Sequence, residues 1–267
     1  MLGLKKQKPA AAFFALGKHP AFNDYFNLNE PSTLSEAMTL WIEKGVQEKE
    51  KDRKTLRGDQ CETNGAIHTY RFWMQAGRRE ELALGIVRDS CDTLGRAFPL
   101  LIMAHGIVKE WYKSWHYIFQ EWEPVFRELE TAATSQYLDF QEFQARLKKI
   151  RFPEKLAPSP CDDTGCPKVL VTPESILALF QHNQNQDAAR IPASALKAPG
   201  GSCGGKIVKN HFFSKPAIPA SMFVGGIPEA PTLFIYNRPL RAKDFSDLFN
   251  LVQSCRTGLH DSRLTTK

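Results

Sequence analysis

The chain has 267 residues, 42% of them hydrophobic and 24% charged, with 18 Phe, which is enough apolar material for a sizeable packed core. That composition excludes a disordered tail, a collagen-like repeat and a disulfide-stapled miniprotein. Lys and Arg number 35 against 29 Asp and Glu, and a formal surplus of +6 is too small to point to nucleic acid.

Lys5, Lys6 and Lys8 precede an apolar run from Ala10 to Leu16 that imitates a short secretory signal. The run meets Gly17-Lys18-His19-Pro20 with no small-x-small cleavage site, so it reads as a buried strand from Ala12 to Leu16 behind a flexible N-terminus over residues 1–10. Thr33 and Glu36 have capping-box spacing, and Leu34, Met38, Trp41 and Ile42 recur at helical period. The mixed charges from Gln47 to Arg57 read as a solvated helix end and loop. Three strands are expected over Ile67–Gln75, Leu82–Arg88 and Phe98–Ala104, with Gly77-Arg78-Arg79 turning the first two into an antiparallel hairpin. Trp111, Trp115, Ile118, Trp122, Phe126 and Leu129 then form one apolar stripe, which Pro124 should kink or split. Phe140, Phe143, Leu147 and Ile150 mark the next helix.

Phe152 to Pro167 reads as a loop, and Thr172-Pro173 as the cap and first turn of a helix reaching about His182. Residues 183–205 are polar and then glycine-rich, ending in Gly200-Gly201-Ser202-Cys203-Gly204-Gly205, and are expected to be a mobile or functional loop. Strands are expected over Ser221–Val224 and Thr232–Tyr236, followed by a helix using Phe245, Leu248, Phe249 and Val252 and a tail over 256–267. A strand meander followed by helices argues for an α+β fold, in one domain over residues 11–255. Six cysteines, Cys61, Cys91, Cys161, Cys166, Cys203 and Cys255, are too sparse for a disulfide framework, so a reducing, cytoplasmic setting is expected. No stretch approaches the roughly 18–20 apolar residues of a membrane span.

Two segments concentrate chemistry-bearing residues. The first is Gly17-Lys18-His19-Pro20-Ala21-Phe22-Asn23-Asp24-Tyr25-Phe26; the second runs from Asp89-Ser90-Cys91-Asp92 through Gly95-Arg96 to Phe98-Pro99-Leu100. Each follows a strand and places a carboxylate, a cation and a Gly in one tight turn. Asp24, Ser90, Asp92 and Arg96 could form a polar site at one end of the sheet, or the two Asp could cap turns with Arg96 paired to one of them. Unlike charges in the two turns lead to the expectation that Asp24 and Arg96 are neighbours, with about 3–5 kcal/mol at stake if the pair is partly buried.

Other candidates lack their context. Cys161 and Cys166, even with Cys203 and His211, fit no common zinc spacing, so no metal is expected. Ser90 with His105 or His116 lacks the Gly-x-Ser-x-Gly elbow of a hydrolase. Gly200 to Lys206 lacks the Lys-Ser/Thr ending of a phosphate loop. The tryptophan stripe reads as core, and His68, inside a strand pattern, as a surface or satisfied residue.

The two segments resemble the paired signatures of the TagF (ImpM) proteins, accessory factors of bacterial type VI secretion. The first signature runs approximately Gly-Lys-x-Pro-x-x-Gly-Asp-Phe; Gly17, Lys18, Pro20 and Asp24 match it, with Asn23 for Gly and Tyr25 for Phe. The second runs approximately Pro-Ser-x-Asp-x-x-Gly-Arg-x-Phe-Pro-Leu; Ser90, Asp92, Gly95, Arg96, Phe98, Pro99 and Leu100 match it, with Asp89 for the leading Pro. The resemblance covers Ala12 to Leu129, with weak echoes at Phe223 to Gly226 and Pro239-Leu240.

The resemblance implies a mostly antiparallel sheet flanked by helices, similar to longin-like domains. It further implies a non-enzymatic, cytoplasmic, post-translational regulator that holds type VI secretion in check, with no cofactor. The implied partners are type VI components, including a forkhead-associated scaffold protein; nucleic acid and membrane insertion are not expected. The signature residues, with Phe22, would then be interface or bracing elements. The competing expectation is a small hydrolase or nucleotide-binding protein built on Ser90, Asp92 and Arg96. A shallow surface where the two turns meet would favour the first, and a deep pocket with a base within reach of Ser90 the second.

Overall fold

The structure, a computed structural model, describes residues 13–28, 32–55, 67–156, 173–192, 218–228 and 230–249. Its strands are β1 (Phe14–Gly17), β2 (Phe26–Leu28), β3 (Thr69–Gln75), β4 (Glu81–Arg88), β5 (Leu100–Ile107), β6 (Ala188–Pro192), β7 (Ser221–Gly226) and β8 (Thr232–Tyr236). Its helices are α1 (Thr33–Thr55), α2 (Ile118–Glu121), α3 (Glu123–Thr134), α4 (Phe140–Lys149), α5 (Pro173–Asn183) and α6 (Ala242–Phe249), with two 3₁₀ turns at Trp111–Lys113 and Trp115–Tyr117. The eight strands form one sheet in the order β2-β1-β5-β4-β3-β7-β8-β6, and every neighbouring pair is antiparallel. This is the α+β architecture that the strand meander implied.

Each face of the sheet carries its own core. Along β3, Tyr70, Phe72 and Met74 join Met38, Trp41 and Ile42 of α1 and Phe245, Leu248 and Phe249 of α6. Trp73 points to the other face, where Trp111, Trp115, Ile118, Phe126, Leu129, Phe143 and Phe180 cover the sheet. Burial on both faces explains why Leu82–Val87 and Leu100–Ala104 read as unbroken apolar runs although their strands are antiparallel. The β3–β4 hairpin turns at Gly77, as its sequence indicates.

Four local readings change. The helix α1 cap lies one residue early: Ser32 Oγ accepts from Ser35 N (3.1 Å) and Ser32 N donates to Ser35 Oγ (2.7 Å), a reciprocal box with Ser in the usual Glu place. The aromatic stripe is split, not kinked, with Pro124 in the first turn of α3 as one of the two readings had it, but the part before the split is two 3₁₀ turns and the short α2 instead of one helix; its six apolar residues are all buried. The loop expected over 183–205 contains β6, where Ala189 and Ile191 are buried against the sheet; residues 193–205 lie outside the described residues. The first signature segment runs directly into β2, a strand of three residues on the sheet edge, too short to show a period of its own. Among the described residues, no helix is long and apolar enough to cross a membrane.

Candidate functional site: the joined signature turns

Strands β1 and β5 are sheet neighbours, with Leu16 opposite Leu101, so the start of the first segment lies against the end of the second. The contact is as close as backbone permits. Gly17 sits at φ +118°, and a Cβ there would fall 1.9 Å from the Pro99 carbonyl oxygen. Any larger residue would separate the two turns, which gives the Gly of the first signature a steric reason.

Beyond Gly17 the chain folds over helix α3. His19 is fully buried; its Nε2 donates to the Ala132 carbonyl (3.2 Å) while its Nδ1 accepts from Ala21 N (3.1 Å). Burial is the main cause that lowers its pKa from 6.5 to about 4; nearby Arg88 adds to the effect, and the Ala132 hydrogen bond opposes it. The imidazole is therefore a neutral peg on the last turn of α3, whose carbonyls lack helical partners. Phe22 packs edge-on among Phe26, Phe140 and Phe143. That places Phe22 inside the wall, as a brace and not an exposed anchor.

The second turn is organised by Asp92, whose side chain is fully buried. Oδ1 accepts from the backbone N–H of Leu94 (3.0 Å) and of Arg96 (2.9 Å). Oδ2 accepts from Arg96 Nε (2.7 Å) and lies 3.0 Å from Lys18 Nζ. Burial raises the carboxyl pKa, but the Lys18 hydrogen bond and the backbone and side-chain bonds of Arg96 outweigh it and hold the group down at about 2. All four acceptor positions of the carboxylate are thus occupied. Gly95 closes the turn at φ +76°, donating its N–H to the Asp92 carbonyl (2.9 Å).

Cross-links then join the two turns. Thr93 N donates to the Phe22 carbonyl (3.0 Å), Thr93 Oγ1 to Asn23 Oδ1 (2.6 Å) and Arg96 to the Asn23 carbonyl (2.6 Å). Asp24 and Arg96 are neighbours as expected, but at 3.5 Å and with side chains 79% and 51% exposed. The larger energy of a buried pair does not apply to them; the buried carboxylate is Asp92. Tyr25 stands edge-on to Phe98 and stays 39% exposed, Pro20 is exposed, and Leu94 is 70% exposed at the tip of the second turn. Leu94 occupies an unspecified position of the signature and His19 another, so neither was legible from the motif.

The remaining candidates fall elsewhere. Ser90 follows β4 at this end of the sheet, whereas His105, opposite Ala83, stands at the far end, and among the described residues no histidine hydrogen-bonds to Ser90. His68 is not a surface residue: it is buried, with Nδ1 2.6 Å from Asp89 Oδ2, and Nε2 has no hydrogen-bond partner among the described residues. Cys161, Cys166, Cys203, His211 and Gly200 to Gly205 lie outside the described residues.

The fold and this site define an α+β protein in which two sheet-end turns are bound to each other around one saturated carboxylate. The chain belongs to the family of the TagF N-terminal domain, type VI secretion system-associated, whose model matches residues 14–150. The match takes in both signature turns and extends through α4, further than the sequence resemblance reached. The fold is also similar to the crystal structure of PA0076 from Pseudomonas aeruginosa PAO1, with TM-score 0.53 and 15% identity over 96% of this chain and 98% of that one. No match was found among curated proteins.

Proposed function

We propose that this type VI secretion-associated protein is a non-enzymatic, cytoplasmic regulator that restrains secretion through protein–protein contacts made by the joined turns. A forkhead-associated scaffold protein of the same system is the partner candidate carried over from the family resemblance. The observation that supports this reading is how the polar groups of the turns are used. Asp92, Lys18 and His19 are committed to internal bonds, while Leu94, Tyr25 and part of Arg96 face outward on a rigid base. Exposed aromatic, aliphatic and Arg groups on a preorganised surface suit an interface anchor. A hydrolase would need a free base beside Ser90.

Tyr25→Ala and Leu94→Asp test this reading. Both side chains lie on the surface, so thermal stability should change by no more than about 0.5–1 kcal/mol. Binding to the scaffold protein, measured by pull-down and calorimetry, should weaken by about 1–3 kcal/mol per variant. Arg96→Glu is a poorer probe, because it would set a new carboxylate against Asp92 and Asp24. Unchanged binding in both variants would remove the turns from the interface.

A further inference from the structure

Five cations are exposed, and among the described residues none has an ion-pair partner: Lys109 beyond β5 at the far end of the sheet, and Lys148, Lys149, Arg151 and Lys155, which run from the last turn of α4 to the bridge that Lys155 makes with Lys109. Several cations elsewhere are closely paired, as in Lys18–Asp92, Arg71 with Glu123 and Glu130, and Arg238–Asp244. From Arg146 to Lys155 the chain carries five cations and one acid, Glu154. The C-terminal dipole of α4 accounts for Lys148 and Lys149. It does not account for Arg151, Lys155 or Lys109, which lie beyond the helix. Lys109 and Lys155 are paired side by side in an isolated parallel bridge, an arrangement of like charges that opposes folding.

We propose that this basic end is a peripheral docking surface for an anionic phospholipid bilayer. Four of the five cations are Lys, strongly hydrated point charges without the planar fork that fits a shaped protein site. The aromatic residues beside them are turned inward: Phe143 and Phe152 pack into the core, and the Trp122 indole donates to the Lys155 carbonyl. A protein hot spot would be anchored by Trp, Tyr or Arg, and single-stranded nucleic acid would need exposed rings for stacking. A plane of phosphate headgroups requires only a dense, accessible positive surface. Ile107, 42% exposed two residues before Lys109, adds an apolar contact at its edge. Each cation near such a surface strengthens adsorption about fivefold, and salt weakens it.

The experiment is vesicle flotation of the full chain and of the triple variant Lys148→Glu, Lys149→Glu, Lys155→Glu. Vesicles of phosphatidylethanolamine with about a third phosphatidylglycerol are compared with neutral phosphatidylcholine vesicles, at low and at physiological salt. The expected result is salt-sensitive binding to the anionic vesicles alone, reduced at least about a hundredfold in the triple variant. Leu94→Asp should bind vesicles like the parent chain, and the triple variant should still melt cooperatively, with a modestly lower melting temperature because the carboxylates introduced at positions 148 and 149 would meet the negative end of the α4 dipole. No binding to anionic vesicles, or binding indifferent to the triple substitution, overturns the proposal. Equal or tighter binding to duplex DNA or to polyglutamate at the same salt also overturns it, in favour of a nucleic-acid or protein partner. None of these readouts depends on the partner proposed for the signature turns.

Discussion

At the signature end of the sheet, Lys18 and Arg96 close on the buried carboxylate of Asp92 within 3.0 Å, and the turn backbone bonds to the same oxygens. At the far end Lys109 and Lys155 lie side by side, and among the described residues neither has an ion pair. The first region uses charge to hold two loops in one shape. The second leaves charge facing solvent, where it adds little to stability and remains available to a partner. Residue type alone does not distinguish the two uses, since Lys18 and Lys155 are the same side chain. Burial and the nearest carboxylate distinguish them.

The largest expected effect falls where the two turns touch. Gly17→Val would drive a side chain into the Pro99 carbonyl at a positive φ, separating β1 from β5. Urea denaturation should show a loss of about 3–5 kcal/mol, combining backbone strain with overpacking. A loss under about 1 kcal/mol would mean that the turns are held independently.

Next in size is a pH effect from His19. Its native pKa of about 4 lies below the ordinary 6.5, so between those values the unfolded chain binds a proton that the folded one refuses. Stability should be unaffected by this group above pH 6.5 and should fall as pH drops towards 4, by at most about 1.4 kcal/mol per pH unit. His19→Gln should lower stability at pH 7 but flatten that slope, as read from denaturation curves at a series of pH values. An unchanged slope would take the buried imidazole out of the account.

The smallest effects sharpen the contrast between the two ends. Asp24→Ala removes only an exposed, 3.5 Å pair and should cost less than about 1 kcal/mol. Lys155→Ala should be neutral or slightly stabilising, within about 0.5 kcal/mol, because it relieves repulsion with Lys109. Thermal melts of the two variants beside the parent chain check both. A clear loss at Lys155 would mean that the basic end is structural after all.

Much of the fold was legible in the sequence. The Gly77 hairpin, the apolar runs of β4 and β5 and the periodic faces of α4 and α6 all depend on local pattern, which a chain carries by itself. The edge strands β2 and β6 were not legible: β2 has three residues, too few to display a period, and β6 carries only two alanines and Ile191 around Arg190 before Pro192, so that only pairing with β1 and β8 makes them strands. The aromatic stripe announced burial correctly but not its backbone, because short 3₁₀ turns bury the same side chains as a helix.

The site divides in the same way. The sequence by itself determined which residues are unusual, through two tight turns with Gly, Pro and opposite charges, and these carried the family resemblance. Only the tertiary structure decided what each residue does. Arg96 meets the carbonyl of Asn23, 73 residues away, and His19 meets the carbonyl of Ala132, 113 residues away. Hydrogen bonds and ion pairs depend on distance and burial, and both are set by how β1, β5 and α3 pack together, which no local pattern encodes.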